Sequence, residues 1–347
     1  MGSNAPVVKR ILVIQLRQLG DLLMITPALR ALQALHPEAS LDVLCEPSGS
    51  LVLGHNPRVS ALRLLPRKEG LAGWLDLVRE LRAQRYDLVV DCQGLPSTAL
   101  LAWLSGARVR LGFARDVLRN LLYTRPYDRR NTDYSALDKL KLLQDSRVDL
   151  EDLQLEFPVL EESRQAAEQF ARERFHAPVA ALFGVSRRAY KVWPPEKLAA
   201  LGDRLAEVGY QPFLVYGPGE QEAARAIAAR MTHEALVDYP MPDFGTLKEI
   251  LARCALFAGN DGGPKHLAAL SGVPSVTVYC HVHPESWTRP DDPRQRWVAT
   301  ASASRALPTQ GPCEAVDTLA EIEVDAVWSR VEALARDGFI PFPARKA

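Results

Sequence analysis

The sequence has few cysteines, and the five present stand far apart: Cys45, Cys92, Cys254, Cys280 and Cys313. No CxxC pair occurs, and an odd, scattered set builds neither a zinc ribbon nor a disulfide framework. Small buried residues in a reducing compartment are expected instead. No apolar run approaches the roughly 18–20 residues that a membrane span requires. The opening, Met1 to Arg10, has no signal-peptide order, because its basic pair stands directly before a short apolar run; a cytoplasmic location is expected. GxGxxG is missing as well, which removes the dinucleotide fingerprint and argues against a dehydrogenase. Net charge is zero, with 42 Lys and Arg against 42 Asp and Glu. No nucleic-acid partner is expected.

That neutrality hides an asymmetry. Residues 1–150 carry 21 Lys and Arg against 15 Asp and Glu, and the remainder carries 21 against 27. Much of the positive excess lies between Arg108 and Arg130, where seven arginines face only Asp116 and Asp128. Such a patch attracts an anionic substrate or a membrane surface, or is an ordinary solvated face. Both readings stay open on the residues alone.

What is present is a rhythm. Short apolar runs alternate with longer amphipathic stretches, twice over, in a chain of 347 residues that is comfortable for two domains. Ile11–Leu16 reads as a buried parallel strand, Asp21–Leu35 as a helix, Leu41–Leu44 as a strand, Leu71–Arg85 as a helix and Asp87–Asp91 as a strand. Thr26-Pro27 marks a kink or a restarted first turn. A second series opens with strand Val179–Phe183 and helix Pro195–Val208, then strand Pro212–Tyr216 and helix Glu220–Met231. Helix Thr246–Cys254, strand Ala255–Ala258, helix Gly263–Ser271 and strand Ser275–Tyr279 continue it. The pattern predicts an α/β chain with two parallel sheets, divided as residues 1–160 and 161–347, with the join near the charged helix Glu161–Phe175. Val282–Pro293 is expected to be a long Pro-rich loop, and Val316–Arg336 a last amphipathic stretch that packs anywhere or crosses back onto the first half.

In open parallel sheets ligands sit at the carboxyl ends of strands, so the residues after each strand are the ones to search. Gly20-Asp21 places a carboxylate at a helix start, where it is either a simple cap or a reactive group. Gly184 to Pro194 gathers Ser186, Arg187, Arg188 and Lys191 in one loop, which suits a pyrophosphate or is merely a solvated basic loop. Gly259-Asn260-Asp261-Gly262-Gly263 before a helix lets backbone N–H groups approach a phosphate.

Taken in order, these segments resemble one family. Asn260-Asp261-Gly262-Gly263-Pro264-Lys265-His266-Leu267-Ala268-Ala269, followed by Gly272-Val273-Pro274, is similar to the G-[NV]-D-[ST]-G-x-x-H-x-A-A-x-x-x-x-P signature of glycosyltransferase family 9. Ile11–Leu32 resembles that family's opening, Lys191-Val192-Trp193-Pro194 its K-x-W-P element, Asp91-Cys92-Gln93-Gly94 its D-x-[QH]-G turn, and Gly106–Phe113 its G-A-x-x-R-x-G-F segment. The resemblance implies a GT-B fold, with two Rossmann-like domains whose parallel sheets face a central cleft. It implies an inverting transfer of heptose from ADP-heptose to a hydroxyl of a lipopolysaccharide inner-core acceptor, with no cofactor and no metal. Asp21 matches the general base. Ser186, Lys191, Gly262, Gly263 and His266 match the donor's phosphate-binding groups, Glu222 a residue near its ribose or adenine, and Asp261 one near its sugar. The partners implied are a nucleotide-sugar donor and an anionic, lipid-linked saccharide acceptor, with peripheral contact at the cytoplasmic face of the inner membrane.

The chain also departs from the pattern. Gly262 stands where the family has a hydroxyl residue, and Lys265 where it is commonly apolar. Cys280-His281-Val282-His283-Pro284 replaces G-P-T-x-P, and a histidine common near Asp133–Leu137 is missing. His281 and His283 are expected to line the donor-sugar pocket; two histidines alone do not make a metal site. The alternatives are a family 9 transferase that uses another nucleotide sugar for a different surface glycan, and a non-catalytic nucleotide-sugar-binding relative.

Overall fold

The computed structural model describes residues 7–16, 19–66, 70–129, 133–186, 188–240, 243–280, 282–300 and 319–341. The chain divides into two compact units, Met1–Pro158 and Val159–Ala347.

The first unit is built on strands β1 (Arg10–Ile14), β2 (Ser40–Cys45), β3 (Ala61–Leu64), β4 (Leu88–Asp91), β5 (Val109–Ala114) and β6 (Arg125–Asp128). They form one six-stranded sheet in the order β3-β2-β1-β4-β5-β6, every pair parallel. Ile11 to Ile14 of central β1 are buried, as an all-apolar run covered on both faces should be. Its helices are α1 (Leu19–Leu23), α2 (Thr26–Leu35), α3 (Ser50–Leu53), α4 (Gly70–Ala83), α5 (Pro96–Leu104), α6 (Val117–Leu122) and α7 (Ser135–Lys141). The stretch expected as one helix from Asp21 to Leu35 is thus two. Pro27 sits in the first turn of α2, where its missing N–H costs nothing, so Thr26-Pro27 restarts the helix. The Thr26 hydroxyl ties the break together, donating to the Leu23 carbonyl (2.7 Å) and accepting from the Glu156 N–H (2.9 Å).

The second unit repeats the plan with β7 (Val179–Phe183), β8 (Gln211–Val215), β9 (Leu256–Asn260), β10 (Ser275–Tyr279) and β11 (Gln295–Ala299), ordered β11-β10-β9-β7-β8 and again parallel. Its helices are α8 (Glu161–Arg174), α9 (Pro195–Glu207), α10 (Gln221–Ala228), α11 (Phe244–Leu251), α12 (Gly263–Leu270), α13 (Pro284–Trp287) and α14 (Val324–Arg336). The segment expected as an uninterrupted loop after β10 therefore contains the short α13, started by Pro284 in its first turn. The closing helix packs on β10, β11 and α9 through buried Val327, Trp328, Val331 and Leu334. The two parallel-sheet α/β units make a GT-B fold.

Candidate active site

Each sheet has one place where successive connections leave in opposite directions, and a crevice opens there at the carboxyl ends of the strands. In the second sheet it lies between β7 and β9. Lys191 arrives from the loop after β7, in the single helical turn Ala189–Lys191, and its Nζ donates to Asp261 Oδ2 at 2.8 Å. Asp261 follows β9 directly. Burial penalises its charge, but Lys191, His266 and Lys265 outweigh that penalty and hold the carboxyl below its ordinary range. Burial likewise opposes the Lys191 ammonium, and Asp261 more than offsets it. Lys265, in the first turn of α12, is 1% exposed; its Nζ donates to the Trp287 carbonyl and lies 5.7 Å from the centre of the Tyr279 ring. Burial pushes its pKa down to about 8, with Asp261 pulling the other way. His266 is also buried, with its ring 5.8 Å from that of Trp287. One carboxylate therefore faces three basic side chains, and its Oδ1 has no hydrogen-bond partner among the described residues.

The backbone around this cluster is shaped by Phe183, the last residue of β7. Gly259 has φ +135°, and a Cβ there would sit 2.0 Å from the Phe183 carbonyl oxygen. Gly262 is extended, but a Cβ on it would lie 2.7 Å from the Phe183 ring. The missing family hydroxyl thus has a steric cause: the ring occupies the space a serine or threonine would need. Gly263 and Pro264 then open α12, whose first N–H groups have no partner within the helix. Asn260 Oδ1 accepts from the Trp193 N–H at 3.0 Å, and the Trp193 indole donates to the Ile322 carbonyl at 3.0 Å. The first bond fixes the K-x-W-P loop against β9, and the second ties it to the segment just before α14.

Not every expected residue joins the cluster. Ser186 is half-buried, and its hydroxyl accepts from the Arg188 N–H (3.2 Å). Glu222 is exposed in the first turn of α10, after β8, which neighbours β7. It makes no hydrogen bond or ion pair with the other described residues. His283 is half-buried just before α13, whereas His281 lies outside the described residues. Cys280 Sγ donates to the Tyr190 carbonyl at 2.9 Å, tying the loop after β10 to the one carrying Lys191. Cys45, Cys92, Cys254 and Cys280 are free and buried; Cys313 is outside the described residues.

In the first sheet the crevice lies between β1 and β4. Half-buried Asp21 stands in α1, after β1. Facing it is a residue the sequence reading missed. Lys139 of α7 is 2% exposed, and its Nζ donates to Ser135 Oγ at 2.6 Å. Burial holds its pKa below that of an ordinary lysine; Asp21 is the strongest charge acting in its favour, with Cys92 and Asp138 assisting and Arg129 opposing. A lysine on the buried side of a short helix was the available signal, and Ser135 lies within the stretch where the family's histidine is missing.

The two other family-like segments here hold shape. Asp91 is fully buried, accepting from the Gln93 and Gly94 N–H groups (2.9 and 3.0 Å) and from the Tyr123 hydroxyl (2.7 Å). Gln93 Oε1 in turn accepts from the Gln15 side chain and the Leu16 N–H, joining the exits of β1 and β4. Arg110 turns inward to the carbonyls of Leu122 and Ala107. Gly112 leaves room for Tyr123, whose ring a Cβ would overlap. Among the described residues no group of three or more His, Cys, Asp and Glu is placed to hold a metal ion.

Comparison with known proteins adds to this geometry. Residues 74–313 match the model of glycosyltransferase family 9 (heptosyltransferase). Lipopolysaccharide heptosyltransferase 3 of Escherichia coli is 27% identical over 292 residues, covering 75% of this chain and 80% of that protein. The glycosyl transferase family 9 structure from Veillonella parvula superposes with a TM-score of 0.77 at 23% identity, covering 96% of this chain and 100% of that one. E. coli ADP-heptose lps heptosyltransferase II gives 0.72 at 21% identity, covering 95% and 99%.

Proposed function

The chain belongs to glycosyltransferase family 9, and from that premise we propose that it is an inverting transferase moving heptose from ADP-heptose to a hydroxyl of a lipopolysaccharide inner-core acceptor. The observation that carries the reading is the Lys191–Asp261–Lys265 cluster beside the start of α12. Two ammonium groups against one carboxylate leave a net positive charge. Together with the open helix start, that charge can neutralise a departing nucleoside diphosphate. No Mg²⁺ is then demanded for the leaving group.

In the first unit Asp21 is the general base. It takes the proton of the acceptor hydroxyl as that oxygen attacks the anomeric carbon and the bond to the diphosphate breaks on the opposite face, inverting the centre. Lys139 supports the role, because a cation beside the carboxyl favours its ionised form. Glu222 stands at the donor's ribose or adenine, and Ser186 and Gly263 at its phosphates. Asp261, with one oxygen unpartnered among the described residues, is available to a hydroxyl of the donor sugar. The acceptor is anionic and lipid-linked, in keeping with the positive balance of residues 1–150.

The altered loop after β10, where Cys280 replaces the family glycine, favours one second reading: the same chemistry with another nucleotide sugar on a different surface glycan. A thermal-shift screen separates the two. Stabilisation by ADP and ADP-heptose above UDP and GDP donors supports heptose, and preference for UDP or GDP defeats it. Product formation from ADP-heptose that survives Asp21→Asn would defeat the base assignment.

A further inference from the structure

Lys265 and the loop after β10 both depart from the family pattern, and in the fold the two departures meet. Lys265 is buried in the first turn of α12, yet it makes no direct bond to Asp261. Its ammonium donates instead to the carbonyl of Trp287, the last residue of α13, with the Tyr279 ring 5.7 Å away. Taking an ammonium out of water for one neutral carbonyl and an aromatic face is unfavourable. An apolar side chain, common at this place in the family, would pack there without that penalty. What the lysine adds is a fixed position for the end of α13.

Other ties hold the same place. The Tyr279 and Thr288 hydroxyls, on two buried residues, are 3.0 Å apart. The Thr288 N–H donates to the Pro284 carbonyl at 2.8 Å and closes the turn of α13. The Trp287 ring is tilted by 57° against that of His266, with 5.8 Å between their centres.

Trp287 is thus held in position while its own recognition groups stay open. It is half-buried, and its indole N–H has no hydrogen-bond partner among the described residues. Trp193 and Trp328, by contrast, are buried and donate to the Ile322 carbonyl and to Glu332. A part-buried indole normally finds an acceptor, and one that finds none in its own chain offers both an apolar face and a donor. A sugar ring matches that pair, because its C–H face lies on the indole and a hydroxyl takes the N–H.

The indole also lies beside the charged cluster. Lys265 and His266 both contact Trp287, and both act through their charge on the Asp261 carboxylate. Asp261 Oδ1 is an open acceptor there, so an open acceptor and an open donor are bridged by the same two side chains.

We propose that Trp287 is a specificity-determining residue for the donor's sugar, its indole forming a wall of the pocket that Asp261 Oδ1 also lines. Lys265 is the positioning residue that holds it there. This role rests on reading the crevice as the donor site, and it applies to a pyranose carried by any nucleotide.

Calorimetry on the full chain, comparing a nucleotide sugar with its own diphosphate, tests it. In Trp287→Ala the affinity for ADP should stay within about twofold of the parent's, which also reports an intact fold, while that for ADP-heptose should fall about tenfold. Trp287→Phe, which keeps a ring, should recover most of the loss. Lys265→Met fills the volume but breaks the tether; it should weaken ADP-heptose more than ADP. Equal losses for the two ligands in Trp287→Ala, or no loss for ADP-heptose, overturn the proposal, and equal losses in Lys265→Met overturn the positioning role. If the parent binds UDP-glucose or GDP-mannose in place of ADP-heptose, the heptose reading fails, and the same comparison with UDP or GDP decides the role of Trp287 by the same outcomes. A parent that binds none of these sugars or diphosphates overturns the donor-site reading and this role with it.

Discussion

The two crevices are made by the same architecture and carry opposite chemistry. After β1 the chain presents a carboxylate, Asp21, with one buried lysine acting on it; after β7 and β9 it presents two lysines and a histidine around one carboxylate. One site is therefore suited to accept a proton and the other to receive an anion. Nothing in the sheets dictates this, because both have buried, parallel, apolar strands. The difference lies in a few loop and helix-start residues, and function is grafted there.

The largest break in that comparison is expected at Asp21. Asp21→Asn keeps the size and one acceptor oxygen but removes the base, so turnover should fall about 10²–10⁴-fold in a steady-state assay with ADP-heptose. Lys191→Ala tests the other side through stability. It leaves Asp261 as a buried carboxylate without its direct partner, and should cost about 1–3 kcal/mol in chemical denaturation, less than a fully buried pair because Lys191 is partly exposed. Lys191→Ala combined with Asp261→Asn should recover most of that loss.

Lys139 sharpens the contrast. With the cation gone in Lys139→Met, the pKa of Asp21 rises, and the acid limb of the kcat/KM profile should move up by about one pH unit. Lys139→Arg should restore it; a merely structural lysine would lower activity at every pH alike. The smallest effect concerns Lys265. Its ammonium is protonated below about 8 and attracts the diphosphate, so ADP affinity should be flat below that pH and weaken as pH rises through it. Titrations across this range check the slope, and Lys265→Met should flatten it.

How far the sequence disclosed all this depends on what each residue needed from its surroundings. Val179–Phe183 and Ser275–Tyr279 were legible to their end residues: the first is an unbroken apolar run, the second is rich in β-branched residues, and both are buried throughout. β3, β5, β6 and β11 were not. Arg63 interrupts β3, Arg110 and Gly112 interrupt β5, and Pro126 is tolerated in β6 only because that strand is at an edge. Asp21, Lys191, Asp261 and His266 stood out because each follows a recognisable strand. Lys139 did not, since the charge acting most strongly in its favour, Asp21, is more than a hundred positions away in sequence. The reason for Gly262 was equally hidden, because the Phe183 ring that excludes a side chain lies on another strand.

The division of labour itself is tested most directly by titrating ADP into Asp21→Asn and Lys191→Ala side by side, by calorimetry. The account predicts that Asp21→Asn binds ADP as the parent does, while Lys191→Ala binds it at least about tenfold more weakly. Loss of ADP binding in Asp21→Asn, or parental affinity in Lys191→Ala, would contradict it.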